Sequence, residues 1–278
     1  MISQYTGALV RAVLVMVLIA TPSLILDNVP HDTTQIVALV AIFAAALTFF
    51  EYASTYPGLV EFRDAPPFNR LRFLSLFLTV VILSSIVRGQ SDPTPMTAFM
   101  EALGNRLGEV IDVPYSPVRL VVLMLPERIS LEHLILVRTT AGISYAISLL
   151  TLVGFVLALR AIGWPNRMGG FNVWINLPTF DPTTGGDVVD RLRRDSRFNI
   201  LLGILLPFMI PAAVKLASMA FSPVTLESPQ TLIWTMTAWA FLPASLIMRG
   251  IAMGRIAGMI EQKRRQNVMA AEADFLPA

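Results

Sequence analysis

Six blocks of the chain, approximately residues 8–26, 34–52, 71–88, 139–161, 199–221 and 230–251, are apolar over the roughly 20 residues that a helix needs to cross a hydrocarbon core. Nothing else in the sequence constrains the fold as strongly. Lipid offers no hydrogen bonds to a backbone, so a spanning chain must satisfy its own N–H and C=O groups, and apolar runs of this length do so as helices. The composition agrees, with 14% of residues charged where a soluble domain carries about one quarter. A disordered chain, a coiled coil and an ordinary water-soluble enzyme are thereby excluded. The absence of cysteine removes disulfides, thiolate metal sites and a cysteine nucleophile. A net charge of +2 provides no patch for nucleic acid.

Arg11 lies one turn inside the first block, from where its long side chain can snorkel to the headgroups. A basic residue ahead of the Ala12–Ala20 run is also a signal-peptide feature. No small-x-small cleavage site follows, however, and the block reads as a retained helix. Orientation follows from the loops, because cytoplasmic loops keep positive charge. Segments 27–33 and 222–229 carry no Lys or Arg. Segment 53–70 with its flank has Arg63, Arg70 and Arg72, and loop 160–198 has Arg160, Arg167, Arg191, Arg193, Arg194 and Arg197. The last block carries Arg249 near its end and is followed by Arg255, Lys263, Arg264 and Arg265. The alternation of basic and bare segments predicts a single membrane domain in a bacterial-type inner membrane, with both termini and the tail 252–278 cytoplasmic. Tyr5, Tyr52, Tyr56 and Trp164 fall near the inner boundaries and Trp234 near an outer one, as an interfacial belt requires.

The long segment 89–138 is then external. Met96, Phe99, Met100, Leu103, Leu107, Val110 and Ile111 recur at helical spacing, with Glu101, Asn105, Arg106, Glu109 and Asp112 on the other face. Thr94 is placed to cap this amphipathic helix, with Pro95 in its first turn. Val118–Leu125 is apolar but too short to span, so it lies at the interface or re-enters against protein. Ser130 can cap a helix that runs directly into the fourth block. The six blocks do not fall into two halves with matching loops, which weighs against a transporter built from inverted repeats.

Gly250, Gly254 and Gly258 form a GxxxGxxxG run at the inner end of the last helix, where glycines four apart make a flat groove that a second backbone can approach. Its occupant is either a partner subunit or another helix of the same chain. Lys215 is the one lysine within a block, and Pro207 and Pro211 on the same helix favour a kink or local unwinding. An intramembrane charge on a broken helix suits a solute pathway. Snorkelling to the outer surface, or pairing with Glu227, are the structural uses of the same lysine. His31 and His133 have carboxylates nearby in sequence but no metal-ligand spacing. In loop 160–198, Thr183-Thr184-Gly185-Gly186-Asp187 lacks the lysine and the strand of a phosphate loop and reads as a turn. Asp187 then caps a short helix through Arg197, whose Arg191, Arg193, Arg194 and Arg197 lie on the membrane surface against anionic lipid. Trp174 and Phe180 offer a partner contact instead.

No nucleophile elbow, zincin, Walker or dinucleotide motif occurs, and no cofactor is implied. The expectation is an all-α polytopic membrane bundle of six transmembrane helices plus an external amphipathic helix. Its expected role is a non-catalytic accessory, assembly or scaffolding subunit whose partners are lipid and other membrane proteins. The alternative is a small-solute transporter or channel using the Pro-broken fifth helix and Lys215.

Overall fold

A computed structural model describes residues 2–27, 29–165, 172–181, 183, 185–221 and 224–274. Among the described residues every regular element is a helix and none is a strand: α1 (Ile2–Ile25), α2 (His31–Ala53), α3 (Phe68–Gly89), α4 (Pro95–Ile111), α5 (Pro117–Met124), α6 (Leu131–Ile162), the single turn α7 (Val173–Asn176), α8 (Val188–Ala217) and α9 (Pro229–Asp274). Six of them (α1, α2, α3, α6, α8 and α9) are long and apolar enough to cross a membrane, so the chain has the form of a multi-pass membrane protein.

Local chemistry sets the boundaries. Thr94 caps α4 in a reciprocal box with Thr97, ahead of Pro95. Ser116 accepts from the Arg119 N–H at 3.0 Å to start α5, and Ser130 accepts from the His133 N–H at 3.2 Å to start α6. At the other end of α6, Gly163 takes the left-handed conformation with φ 68°, which stops the helix. α6 is therefore one helix of 32 residues, as the Ser130 cap predicts.

One expectation about boundaries is corrected. The surface helix ending at Arg197 and the fifth block are one continuous helix, α8. Nothing between Arg197 and Leu201 breaks helix geometry, and α9 runs alongside as an unbroken packing surface. α8 is also continuous through Pro207 and Pro211. Pro211 has no N–H for the Pro207 carbonyl, and the Trp239 indole of α9 supplies that bond at 3.1 Å.

Helices α3, α6, α8 and α9 form the bundle, α4 and α5 pack onto it near one end, and α1 with α2 lies along its flank. We call the end that holds the start of α1 and the finish of α9 the terminal end, and its opposite the distal end. Val80, Leu83, Ile86, Val118, Val137 and Met236 belong to the distal core, and Phe62, Phe155, Leu159, Leu192, Met253 and Ile256 to the terminal core. α5 buries Val118, Val121 and Met124 against the distal core, so its short apolar run packs on protein. On α4, Thr97, Gly104 and Gly108 are the buried positions; Met100, Leu107 and Ile111 pack on the distal core, whereas Met96, Phe99, Leu103 and Val110 stay exposed.

Candidate functional site

Among the described residues, two helix seams set a glycine directly against the backbone of the neighbouring helix. A Cβ on Gly250 would lie 2.7 Å from the Ser196 carbonyl oxygen, and one on Gly203 would lie 2.6 Å from that of Pro243. Each helix thus presents a glycine to the other's backbone, and the Ser196 hydroxyl donates to the Gly250 carbonyl at 2.7 Å. Gly254 faces the same serine, with its Cβ position 3.8 Å from Ser196 Cβ. Of the predicted run, Gly250 and Gly254 therefore pack within the chain, and only Gly258 has open space around it. A second seam was missed. Gly104 and Gly108 of α4 meet α6, where a Cβ on Gly142 would come 2.5 Å from the Gly108 Cα. The sequence carries its signal, since Gly104-x-x-x-Gly108 has the same spacing as Gly250 and Gly254 on α9.

The terminal end gathers polar chemistry from distant parts of the chain. Glu61, on the loop between α2 and α3, receives two hydrogen bonds from Arg249 of α9, at 2.6 and 2.8 Å. Thr179 donates to the same carboxylate at 2.6 Å. Burial alone pushes the Glu61 carboxyl up, and the bonds from Arg249 and Thr179 outweigh it, holding the group below its ordinary value of 4.5. The cluster joins three segments separated by up to 188 residues, a span over which sequence reasoning had no pairing signal.

α8 and α9 continue together past this cluster. Arg193 is ion-paired to Glu261, and Arg264 holds Asp187 at 2.8 Å. Asp187 also caps α8 by accepting from the Val189 N–H at 2.8 Å, and the Arg264 contact keeps its carboxyl below the ordinary range. Arg191 stacks on the buried Phe180 ring at 4.7 Å. Arg191 and Arg193 are thus engaged within the chain, whereas Arg194 and Arg197 are exposed. The Trp174 side chain lies outside the described residues. Beyond Glu261, residues 262–271 of α9 are exposed at every position, including Val268 and Met269. Gly258 opens into a groove of about 540 Å³ that it shares with Leu159, Trp164 and Arg255.

At the distal end of α8, Lys215 is exposed and makes no ion pair among the described residues; Pro207 and Pro211 are buried toward α9. His133 Nε2 lies 2.9 Å from the Thr225 carbonyl and ties the start of α6 to the loop before α9. Among the described residues, no three His, Asp or Glu side chains converge as metal ligands.

Two adjoining cavities open at the terminal end between α1, α2 and α3. The larger, about 1030 Å³, is lined by Arg11, Arg63 and Arg70 as well as apolar residues of α1 and α3. The smaller, about 520 Å³, shares Tyr52 and Asn69 with it and adds Arg72 and the Glu61–Arg249 pair. Comparison with protein-family models, with curated proteins and with solved structures finds no match to this chain.

Proposed function

We propose that the protein is a non-catalytic assembly or scaffolding subunit of a larger inner-membrane complex, with both termini cytoplasmic. One observation carries the reading: α9 is a single helix of 46 residues, about 69 Å long, more than twice a hydrocarbon core of about 30 Å. Its excess length emerges at the terminal end, braced by α8 through the Arg193–Glu261 and Arg264–Asp187 pairs. The exposed stretch 262–271 offers Val268 and Met269 among charged neighbours, the mixed surface that a docked partner covers. The arginines of loop 160–198 and of the α9 extension support a cytoplasmic position for this end.

Purification of the intact protein from native membranes in mild detergent tests the reading. A stoichiometric membrane-protein partner is expected, and deletion of residues 263–278 is expected to release it while the six spans stay folded. A monodisperse chain that moves a solute by itself after reconstitution would contradict the proposal and return attention to transport.

A further inference from the structure

The cavity between α1, α2 and α3 is polar at one end and apolar at the other, in the order a membrane imposes. α1 and α3 both run from the terminal end inward, so Arg70 lies at the outermost turn of α3, while Leu74 and Leu14 lie one turn or more deeper. Leu74 is 58% exposed, Val10 53% and Leu14 43%, so the apolar part of the cavity wall is also open to the bundle's outer face. A ligand there meets guanidinium groups at one end and hydrocarbon at the other.

The positive charge is only partly compensated. Arg63 is held by Asp64 at 3.3 Å and by the Ser54 carbonyl, with its side chain 8% exposed. Arg11 has no carboxylate partner among the described residues; it folds back onto the Gly7 carbonyl at 2.8 Å and lies 4.6 Å from the centre of the Tyr52 ring. Gly7 permits that fold, because a Cβ there would stand 2.9 Å from the Arg11 guanidinium. Arg70 is exposed and makes no ion pair among the described residues. In the adjoining cavity the buried Arg72 Nε has no hydrogen-bond acceptor, because Glu61 is committed to Arg249. Arg11 and Arg70 therefore line the larger cavity with no carboxylate partner among the described residues, since Asp64 on the same wall is paired to Arg63; Arg72 faces the smaller cavity beside Glu61.

We propose that this cavity seats an anionic phospholipid of the adjoining leaflet, its phosphate between Arg11 and Arg70 and its upper acyl chain along Val10, Leu14 and Leu74. Basic pockets between helices at the cytoplasmic side suit anionic headgroups, and guanidinium groups meet phosphate with paired, charge-assisted hydrogen bonds. The volume of about 1030 Å³ exceeds what a headgroup alone requires, and the apolar wall takes the remainder. An inorganic phosphate ion would satisfy the arginines but leave that wall unfilled. The inference is independent of the assembly reading, since it concerns the α1–α3 flank and not the α9 extension.

The test uses the intact protein in nanodiscs of phosphatidylcholine, with or without phosphatidylglycerol, extracted into mild detergent and weighed by native mass spectrometry. The expected result is one retained phosphatidylglycerol per chain in preference to phosphatidylcholine. Arg11→Gln with Arg70→Gln is expected to lower that retention by about tenfold or more. Arg106→Gln with Arg128→Gln, two exposed arginines at the distal end, should leave it unchanged. Leu14→Trp blocks the apolar wall without altering charge and should also reduce retention, which keeps the test sharp if the double arginine variant unfolds. Equal retention of both lipids, or retention unaffected by both variants, would overturn the proposal. Displacement of the lipid by millimolar inorganic phosphate would assign the site to a soluble anion and overturn it as well.

Discussion

Helices α8–α9 and α1–α2 are both antiparallel pairs of apolar helices, yet they are joined by different chemistry. The α8–α9 pair brings backbone against backbone at Gly203 and Gly250, adds the Ser196–Gly250 and Trp239–Pro207 hydrogen bonds, and ends in ion pairs. The α1–α2 pair buries alanines, Ala8 and Ala12 on one helix and Ala41 and Ala45 on the other, and among the described residues α2 packs on no helix except α1. Within a bilayer, lipid tails are as apolar as leucine, so helix association depends on close packing and interhelical hydrogen bonds. The pair with more of both forms the frame of the bundle. The other stands at its flank, where the loosely filled space beside α3 leaves the arginine-lined cavity.

The largest expected effect that separates the two regions comes from Gly250→Leu, which drives a side chain into the Ser196 carbonyl at a point where neither backbone can retreat. A loss of about 3 kcal/mol or more in detergent unfolding is expected, whereas Ala41→Leu on the flank should cost markedly less. Next comes Glu61→Gln, which removes the charge that Arg249 and Thr179 grip. It should cost about 2 kcal/mol, less than a fully buried pair because Arg249 keeps some solvent contact. The pair also predicts an acid limit. The Glu61 carboxyl sits below its ordinary 4.5 in the folded chain, so its contribution is complete above 4.5 and declines as the pH falls through the lowered folded value. The Glu61→Gln protein should lack that part of the acid sensitivity, read as thermal midpoint against pH.

Trp239→Phe keeps most of the packing but strands the Pro207 carbonyl, and a loss of about 1 kcal/mol is expected. Lys215→Gln and Gly258→Leu should each stay within about 0.5 kcal/mol, since one side chain is exposed and the other glycine has open space.

Features encoded over one or two helical turns were legible in the sequence. The caps at Thr94, Ser130 and Asp187 follow from single residues with the right chemistry next to an apolar run. The six spans follow from length and hydropathy alone. The continuity of α8 was hidden by its arginines, which resemble a surface helix until their partners Glu261 and Phe180 are known. The buried stripe of α4 was obscured by its own apolar residues. Glycines carry no hydropathy signal, so Gly104 and Gly108 were passed over in favour of Phe99 and Leu103, which remain exposed. The Glu61–Arg249–Thr179 cluster depends on three loop and helix positions whose approach only the tertiary fold dictates. For the glycine run of α9, the sequence left both occupants open, and the fold assigns Gly250 and Gly254 to α8.

That assignment underlies the whole account and can be tested without background, because the chain has no cysteine of its own. Ser196 Cβ and the Gly254 Cβ position are 3.8 Å apart, the spacing at which a disulfide forms without backbone movement. A chain carrying Ser196→Cys and Gly254→Cys, oxidised in native membranes, should close an intrachain bridge that leaves it monomeric and shifts its mobility on a non-reducing gel. A bridge between two chains, or two thiols that remain free, would contradict it.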